Sequence, residues 1–97
     1  MIVVPLVGGA VNAHQTFSQL LGDNLLEFRL NYVTTQKQWS MDVSRNGETV
    51  INGAMLEAGV DITSTHSGAD IGRLVMVGDD VTLDNLGTAN QLVWISS

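Results

Sequence analysis

The residues with the most chemical potential in this sequence are two histidines, His14 and His66. Catalysis or metal binding would require each to meet carboxylates or further nitrogen ligands in space. His14 precedes a strand-like segment and His66 stands among small polar residues, with too few recognisable ligands nearby for a metal site. We therefore interpret both as ordinary surface or loop histidines. The sequence contains no cysteine, which excludes a disulfide, a thiolate zinc site and a cysteine nucleophile.

Asp79, Asp80 and Asp84 form the densest acidic group and could offer oxygen ligands to calcium. An EF-hand loop needs oxygens at alternating positions, a central glycine and a distal glutamate. The spacing here does not match that pattern, whereas aspartate commonly bonds neighbouring backbone amides in tight turns. We interpret these aspartates as turn residues and predict no metal site.

Nucleotide binding and hydrolysis lack their usual signatures in this sequence. Gly8-Gly9 is followed neither by the Lys-Ser/Thr pair of a phosphate loop nor by a helical pattern. Serine, histidine and aspartate all occur, but a Gly-x-Ser-x-Gly elbow does not. We therefore predict that the chain is not an enzyme, has no catalytic residues and binds no cofactor.

Composition and charge restrict the partners of the chain. Its 97 residues, 44% of them hydrophobic and 14% charged, supply enough apolar material for one core, so we expect a single domain over residues 1–97. Ten acidic and four basic side chains give a net charge of -6, which repels phosphate, so nucleic acid is not an expected partner. Residues 1–7 are apolar but are interrupted by Pro5 and are too short to span a bilayer, so no membrane location is expected.

Apolar residues recur at every second position, which is the period of a strand with one buried face. Leu26, Phe28, Leu30 and Tyr32 show this pattern most clearly, and residues 39–43 repeat it. Asn46-Gly47 then supplies the two positive-φ positions of a tight hairpin turn, so residues 49–51 should pair antiparallel with the preceding strand. Residues 22–24 predict an earlier chain reversal.

Six or seven short strands, with at most one helical turn, predict an all-β fold, either a small antiparallel barrel or a sandwich. We prefer the barrel because closure removes unpaired strand edges. Residues 59–72 are rich in serine, threonine and glycine and should form mostly loop, in which Asp61 could cap a single helical turn. The residues expected in the core are Phe17, Phe28, Leu30, Trp39, Met41, Val75 and Trp94.

Several segments form an ordered set that spans nearly the whole length of the chain. They are Pro5-Leu6, Gln15-Thr16-Phe17, Phe28-Arg29-Leu30-Asn31-Tyr32, Trp39-Ser40-Met41-Asp42-Val43, Gly53-Ala54-Met55-Leu56, Gly59-Val60-Asp61-Ile62, Gly72-Arg73-Leu74-Val75 and Asp84-Asn85-Leu86-Gly87-Thr88. In order, spacing and total length, this set resembles the baseplate plug proteins of contractile-tailed phages, including those of cyanophages. The segment from Asp84 to Thr88 is its most distinctive part.

The resemblance implies a β-rich structural protein of the virion, located near the axis of the tail baseplate and present in the host cytoplasm during assembly. Its implied partners are other phage tail proteins: the baseplate hub, the end of the tail tube, and the spike or tape measure. It also implies a homo-oligomer, arranged as a symmetric ring.

Flexible and edge segments often become ordered on docking, so we expect the contact residues in such segments. These residues are Ile2, Val4 and Leu6 near the amino terminus, and Thr63, Thr65 and His66 in the predicted loop. The alternative function is a small β-barrel module that binds a carbohydrate or another small ligand, for instance in a tail fibre. That alternative requires an exposed aromatic residue and polar groups that converge on a pocket.

Overall fold

The computed structural model describes residues 2–65 and 72–95, and these residues form two antiparallel β-sheets. The strands are β1 (Ile2–Val4), β2 (His14–Leu21), β3 (Asn24–Val33), β4 (Gln38–Arg45), β5 (Glu48–Met55), β6 (Arg73–Gly78) and β7 (Asn90–Ile95). One sheet has the order β2-β3-β4-β5 and the other has the order β1-β7-β6. The helical elements of the described ranges are two short 3-10 segments, Ala10–Asn12 and Ile62–Thr65. The predicted all-β, antiparallel fold is confirmed.

The four-stranded sheet is a meander in which each strand pairs with the next one along the chain. Asn46-Gly47 joins Arg45 to its partner Glu48, and the two turn residues have φ angles of 54° and 79°. These positive angles are those that the predicted hairpin turn requires. A second short turn, through Gly22-Asp23, joins β2 to β3, as the sequence predicts. Local turn chemistry therefore sets the register of this sheet.

The three-stranded sheet unites the two ends of the described chain. Val3 of β1 lies opposite Val93 of β7, and Val93 lies opposite Val75 of β6. Both pairings are antiparallel, and the pairing of β1 with β7 joins residues that are almost a full chain length apart. This sheet can therefore form only after distant segments meet.

The outer edge of β6 is covered by residues 59–63. The backbone N of Met76 donates to Val60 O over 3.1 Å, and Gly59 N donates to Met76 O over 2.6 Å. Asp61 also forms an isolated bridge with Val75. The first part of the stretch predicted as loop thus adds an irregular edge to the sheet, and the predicted helical turn follows it. Residues 66–71 of that stretch lie outside the described residues.

One apolar cluster joins the inner faces of the two sheets. Its members from the four-stranded sheet are Leu21, Leu26, Phe28, Leu30, Trp39, Met41, Val43, Ile51 and Ala54, and those from β1, β6 and β7 are Val4, Leu74, Met76, Leu92 and Trp94. Because strand side chains alternate between faces, buried residues recur at every second position of β3, β4 and β6. Phe17, expected in the core, packs against the cluster while half-buried. Val75, also expected there, alternates with the buried Leu74 and Met76 and therefore lies on the opposite face.

The preference for a closed barrel was wrong, because no ladder of backbone hydrogen bonds joins the two sheets within residues 2–65 and 72–95. After β1 the chain passes through Pro5 and the first 3-10 segment, and it then begins a separate sheet at β2. The observed architecture is the other one named by the sequence, a sandwich of two sheets around a shared core.

Candidate interaction surfaces

The residues that could do chemistry are not brought together in the described structure. His14 lies at the exposed start of β2, where its Nδ1 is 2.7 Å from Asn31 Oδ1, and His66 lies outside the described residues. The three aspartates of the acidic group lie exposed in the loop between β6 and β7. Over residues 2–65 and 72–95, no three histidine, cysteine, aspartate or glutamate side chains are placed to hold a metal ion. Those same ranges contain no helix with the length and apolar character needed to cross a membrane.

Side-chain hydrogen bonds organise the loop that contains the distinctive Asp-Asn-Leu-Gly-Thr segment. Asn85 Oδ1 accepts from the backbone N of Thr82 over 2.7 Å, and Asn85 Nδ2 donates to Asp80 O over 2.8 Å. The buried Asn90 accepts from Gly87 N over 2.9 Å and donates to Asn85 Oδ1 over 3.1 Å. The polar groups of this segment therefore satisfy one another and hold the loop in one shape.

The same loop fixes the amino-terminal segment against the sandwich. Gly9 N donates to Leu83 O over 2.7 Å, and a side chain at Gly8 would begin 2.9 Å from that same oxygen. Gly87 has a φ of +82°, and a Cβ there would overlap the carbonyl of Leu6. Glycine is needed at these positions because backbone approaches backbone too closely for a side chain. Gly8 is thus required by packing, whereas Gly9 has room for a side chain but a φ of +98° that favours glycine.

The outer face of the three-stranded sheet carries four valines beside the exposed Arg73 and Gln91. Val3, Val93 and Val75 form a row across β1, β7 and β6, and Val77 extends it along β6. We call these four residues the valine face. Val3 and Val77 are 48% and 40% exposed, whereas Val75 is half-buried and Val93 is only 7% exposed. Adjoining apolar side chains that remain exposed mark a contact site more often than scattered ones do.

The segment after β1 carries further exposed apolar residues. Val7 is 55% exposed and Val11 is 95% exposed, and Pro5 between β1 and Val7 is exposed as well. Val4 and Leu6, which were expected at an interface, are only 1% and 8% exposed and belong to the core of the chain itself. Side chains alternate in an extended chain, and in this segment the odd-numbered residues face outward.

Of the other residues expected at an interface, Ile2 is half-buried and packs against the core. Thr63 is half-buried and bonded to Asp61, while His66 and the side chain of Thr65 lie outside what the structure describes. Contact between these four residues and a partner remains a prediction.

Asp61 organises the start of the second 3-10 segment. Its Oδ1 accepts from the hydroxyl and the backbone N of Thr63, over 2.5 and 3.0 Å, and its Oδ2 accepts from Arg73 Nε over 2.9 Å. The Thr63 hydroxyl, followed by the Arg73 guanidinium, lowers the pKa of Asp61, although partial burial opposes the shift. The predicted capping role of Asp61 is confirmed by these bonds.

The outer face of the four-stranded sheet is polar, in contrast to the valine face. Its members on β2, β3 and β4 include His14, Thr16, Ser18, Glu27, Arg29, Asn31, Ser40, Asp42 and Ser44. The most exposed apolar residues on this face are the cross-strand pair Leu20 and Leu25, which are 62% and 59% exposed beside the β2–β3 turn. This pair lies at one corner of the molecule.

The alternative of a carbohydrate-binding module lacks its key feature among the described residues. Trp39 and Trp94 are buried, at 0% and 8% exposure, and Trp39 Nε1 donates inward to Thr82 O over 3.1 Å. The depression on the polar face is lined by serine, leucine, threonine, asparagine, glycine and charged residues, with no aromatic ring. Neither tryptophan therefore offers a platform on which a sugar could stack.

Comparison with known proteins identifies a family for this chain. A family model described as the cyanophage baseplate Pam3 plug gp18 matches residues 1–97. A comparison with curated proteins gives no match. The family role is that of a structural component of the phage tail baseplate, which is not an enzymatic role. The chain therefore belongs to the cyanophage baseplate plug family.

Proposed function

We propose that this chain closes the centre of a contractile-tail baseplate by its shape, in contact with the hub and the end of the tail tube. The single observation that supports this proposal is the apolar surface that includes the exposed residues Val3, Pro5, Val7, Val11 and Val77. A side chain such as Val11, at 95% exposure, gains free energy only when another surface covers it.

The net charge of the chain suits a subunit that is free in solution before assembly. A net charge of -6 opposes aggregation of the free chain, while the exposed valines provide contact area once partners are positioned. Partners such as the hub, tube end, spike or tape measure would dock on the apolar surface. We propose that the chain does this as one domain over residues 1–97, in several copies, in the virion after a period in the host cytoplasm.

Co-expression with the hub and tube-end proteins encoded by the same phage, followed by size-exclusion chromatography, tests this function. The unmodified chain should co-elute with at least one of them. Val11→Asp and Val7→Asp should abolish co-elution, because each places a charge in the proposed contact. Val60→Asp is the matched control, since Val60 is also an exposed valine but lies outside this surface.

The folded state of each variant is checked by circular dichroism before co-elution is compared. Failure of the unmodified chain to co-elute with any tail component would refute the proposal. Equal co-elution of all three variants would also refute it, because the apolar surface would then not be the contact.

A further inference from the structure

We infer that the free edge of β2 pairs antiparallel with β2 of a second copy of this chain, which would join two four-stranded sheets into one continuous sheet. This inference goes beyond family membership. It shares with the proposed function only the presence of more than one copy.

The direction of the β2 backbone groups follows from its pairing with β3. Tyr32 N donates to Ala13 O over 2.8 Å, so residues 13 and 32 form a hydrogen-bonded pair. In an antiparallel ladder such pairs alternate with non-bonded ones. Residues 15, 17 and 19 therefore bond to β3, whereas the N–H and C=O groups of residues 14, 16, 18 and 20 point away from the sheet.

Those outward groups have no backbone partner among the residues that the structure describes. The burial of neighbouring side chains agrees with an open edge. Phe28 and Leu30 of β3 are completely buried, while their inward-facing β2 partners Phe17 and Gln15 are only half-buried. The core is thus incompletely covered along β2.

The other strand edges in the described ranges are protected. β6 is covered by residues 59–63, and β1 is only three residues long. β5 begins with Glu48, contains Gly53 at a φ of +70°, and changes register twice against β4. Short edges, charges and bulges are the usual devices that prevent unwanted strand pairing. β2 has eight residues in regular register and carries none of these devices.

The lack of charged side chains on β2 favours a second copy of this chain as the partner at its edge. None of the eight side chains of β2 is an acid, a lysine or an arginine, although the chain has a net charge of -6. Two copies that repel each other over the rest of their surfaces can therefore approach at this strand without opposing like charges across the ladder.

In one antiparallel register of the two β2 strands, every outward backbone N–H and C=O group has a hydrogen-bond partner. Residue 14 would lie opposite residue 20 of the second copy, and residue 16 opposite residue 18, so all four outward residues of each copy would form hydrogen-bonded pairs. Phe17 would then face the partner's Phe17 in a non-bonded pair, where side chains are closest. Phe17 already stacks on Phe28 with ring centroids 5.1 Å apart, so the pairing would extend this stack into a row of four rings across the dimer.

Sedimentation velocity of the purified chain, over a wide concentration series, tests the inference with a matched pair of variants. Thr16→Lys places a charge on the β2 edge, and Thr49→Lys places the same charge on the exposed β5 edge. We expect a concentration-dependent dimer for the unmodified chain and for Thr49→Lys. Thr16→Lys should raise the dissociation constant roughly tenfold or more, because lysines of the two copies would lie near each other across the ladder.

A second experiment tests the register and does not depend on the lysine variants. The chain contains no cysteine, so Phe17→Cys would carry a single thiol. In the proposed register the two thiols lie at a separation that permits a disulfide, and mild oxidation should produce a covalent dimer. Thr49→Cys should remain uncrosslinked under the same conditions.

A chain that sediments as a monomer at every concentration would overturn the inference, and so would equal dimerisation of the two lysine variants. These measurements use the purified chain alone. Their failure would therefore leave co-elution with the hub and tube-end proteins, and with it the proposed function, unaffected.

Discussion

The two sheets of this protein face each other across one core, yet they are specified in different ways. The four-stranded sheet consists of neighbouring hairpins with short turns, and its outer face is polar. The three-stranded sheet pairs the first described strand with the last, and its outer face carries valines. The comparison shows that turn residues suffice to set local pairings, whereas a distant pairing needs loops that hold the chain ends in place.

The residues that fix the strand pairing also lie in different places in the two sheets. In the four-stranded sheet, Asn46-Gly47 fixes the register from within the turn itself. In the three-stranded sheet, Gly87 packs on the Leu6 carbonyl and Asn85 organises the loop before β7. The segment from Asp84 to Thr88 therefore has a structural role that is exerted at long range.

Loss of Trp39 should have the largest effect and tests whether the two sheets unfold together. Trp39 is completely buried in the four-stranded sheet, and its Nε1 bonds to the loop that supports the other sheet. Trp39→Ala should lower the free energy of unfolding by about 3–5 kcal/mol. In this variant Trp94 is the remaining tryptophan and reports on the three-stranded sheet. Its fluorescence and the circular dichroism should give the same urea midpoint, and separate midpoints would show that the sheets are independent units.

Substitution of two positive-φ glycines compares long-range packing with local turn chemistry. Gly87→Ala should lower the free energy of unfolding by about 2–3 kcal/mol, because the new Cβ overlaps the Leu6 backbone and because alanine rarely adopts this positive φ. Gly47→Ala should cost about 1 kcal/mol, since Gly47 has a similar φ of +79° but a Cβ there would meet no atom within 4 Å. Urea denaturation measures both. Equal costs would mean that the contact with Leu6 does not stabilise the fold.

Acid should weaken the edge of the three-stranded sheet through Asp61. The pKa of Asp61 is lowered in the folded chain, so its carboxylate stabilises the fold above the unfolded value of about 3.9, and this contribution is lost as pH falls through the folded pKa. Asp61→Asn should therefore be less stable by about 1 kcal/mol near neutral pH and should approach the unmodified chain at low pH. Denaturation at several pH values measures this difference.

Thr63→Val is the informative control for that measurement, because the Thr63 hydroxyl is the principal cause of the lowered pKa. It should remove most of the pH-dependent difference that Asp61 provides. A stability gap between Asp61→Asn and the unmodified chain that is unchanged in acid would contradict this account.

The smallest effect is expected at the exposed corner of the four-stranded sheet. Leu25 is 59% exposed and its neighbour Leu26 is completely buried. Leu25→Ala should change the free energy of unfolding by less than about 0.5 kcal/mol, whereas Leu26→Ala should lower it by about 2–5 kcal/mol. Denaturation of this adjacent pair checks the alternation directly. A cost at Leu25 close to that at Leu26 would show that the outer face is packed in solution.

Much of the four-stranded sheet could be predicted because its determinants are close together in sequence. The alternation around Phe28 and the Asn46-Gly47 turn each predict a local structure that the fold contains. The candidate surface was only partly predictable. The amino-terminal segment was identified, but Val4 and Leu6 were assigned to the wrong face, because an isolated apolar run does not reveal which of its two faces the rest of the chain covers.

The sequence by itself determined the all-β class, the two local hairpin turns and the absence of cysteine chemistry, since each depends on residue types or on neighbours a few positions apart. Only the tertiary structure decided that β1 pairs with β7, that the sheets form a sandwich and that the β2 edge remains open over the described residues. The physical reason is that these features depend on which distant backbone groups meet. A period of two residues gives each strand two faces but does not specify its neighbours.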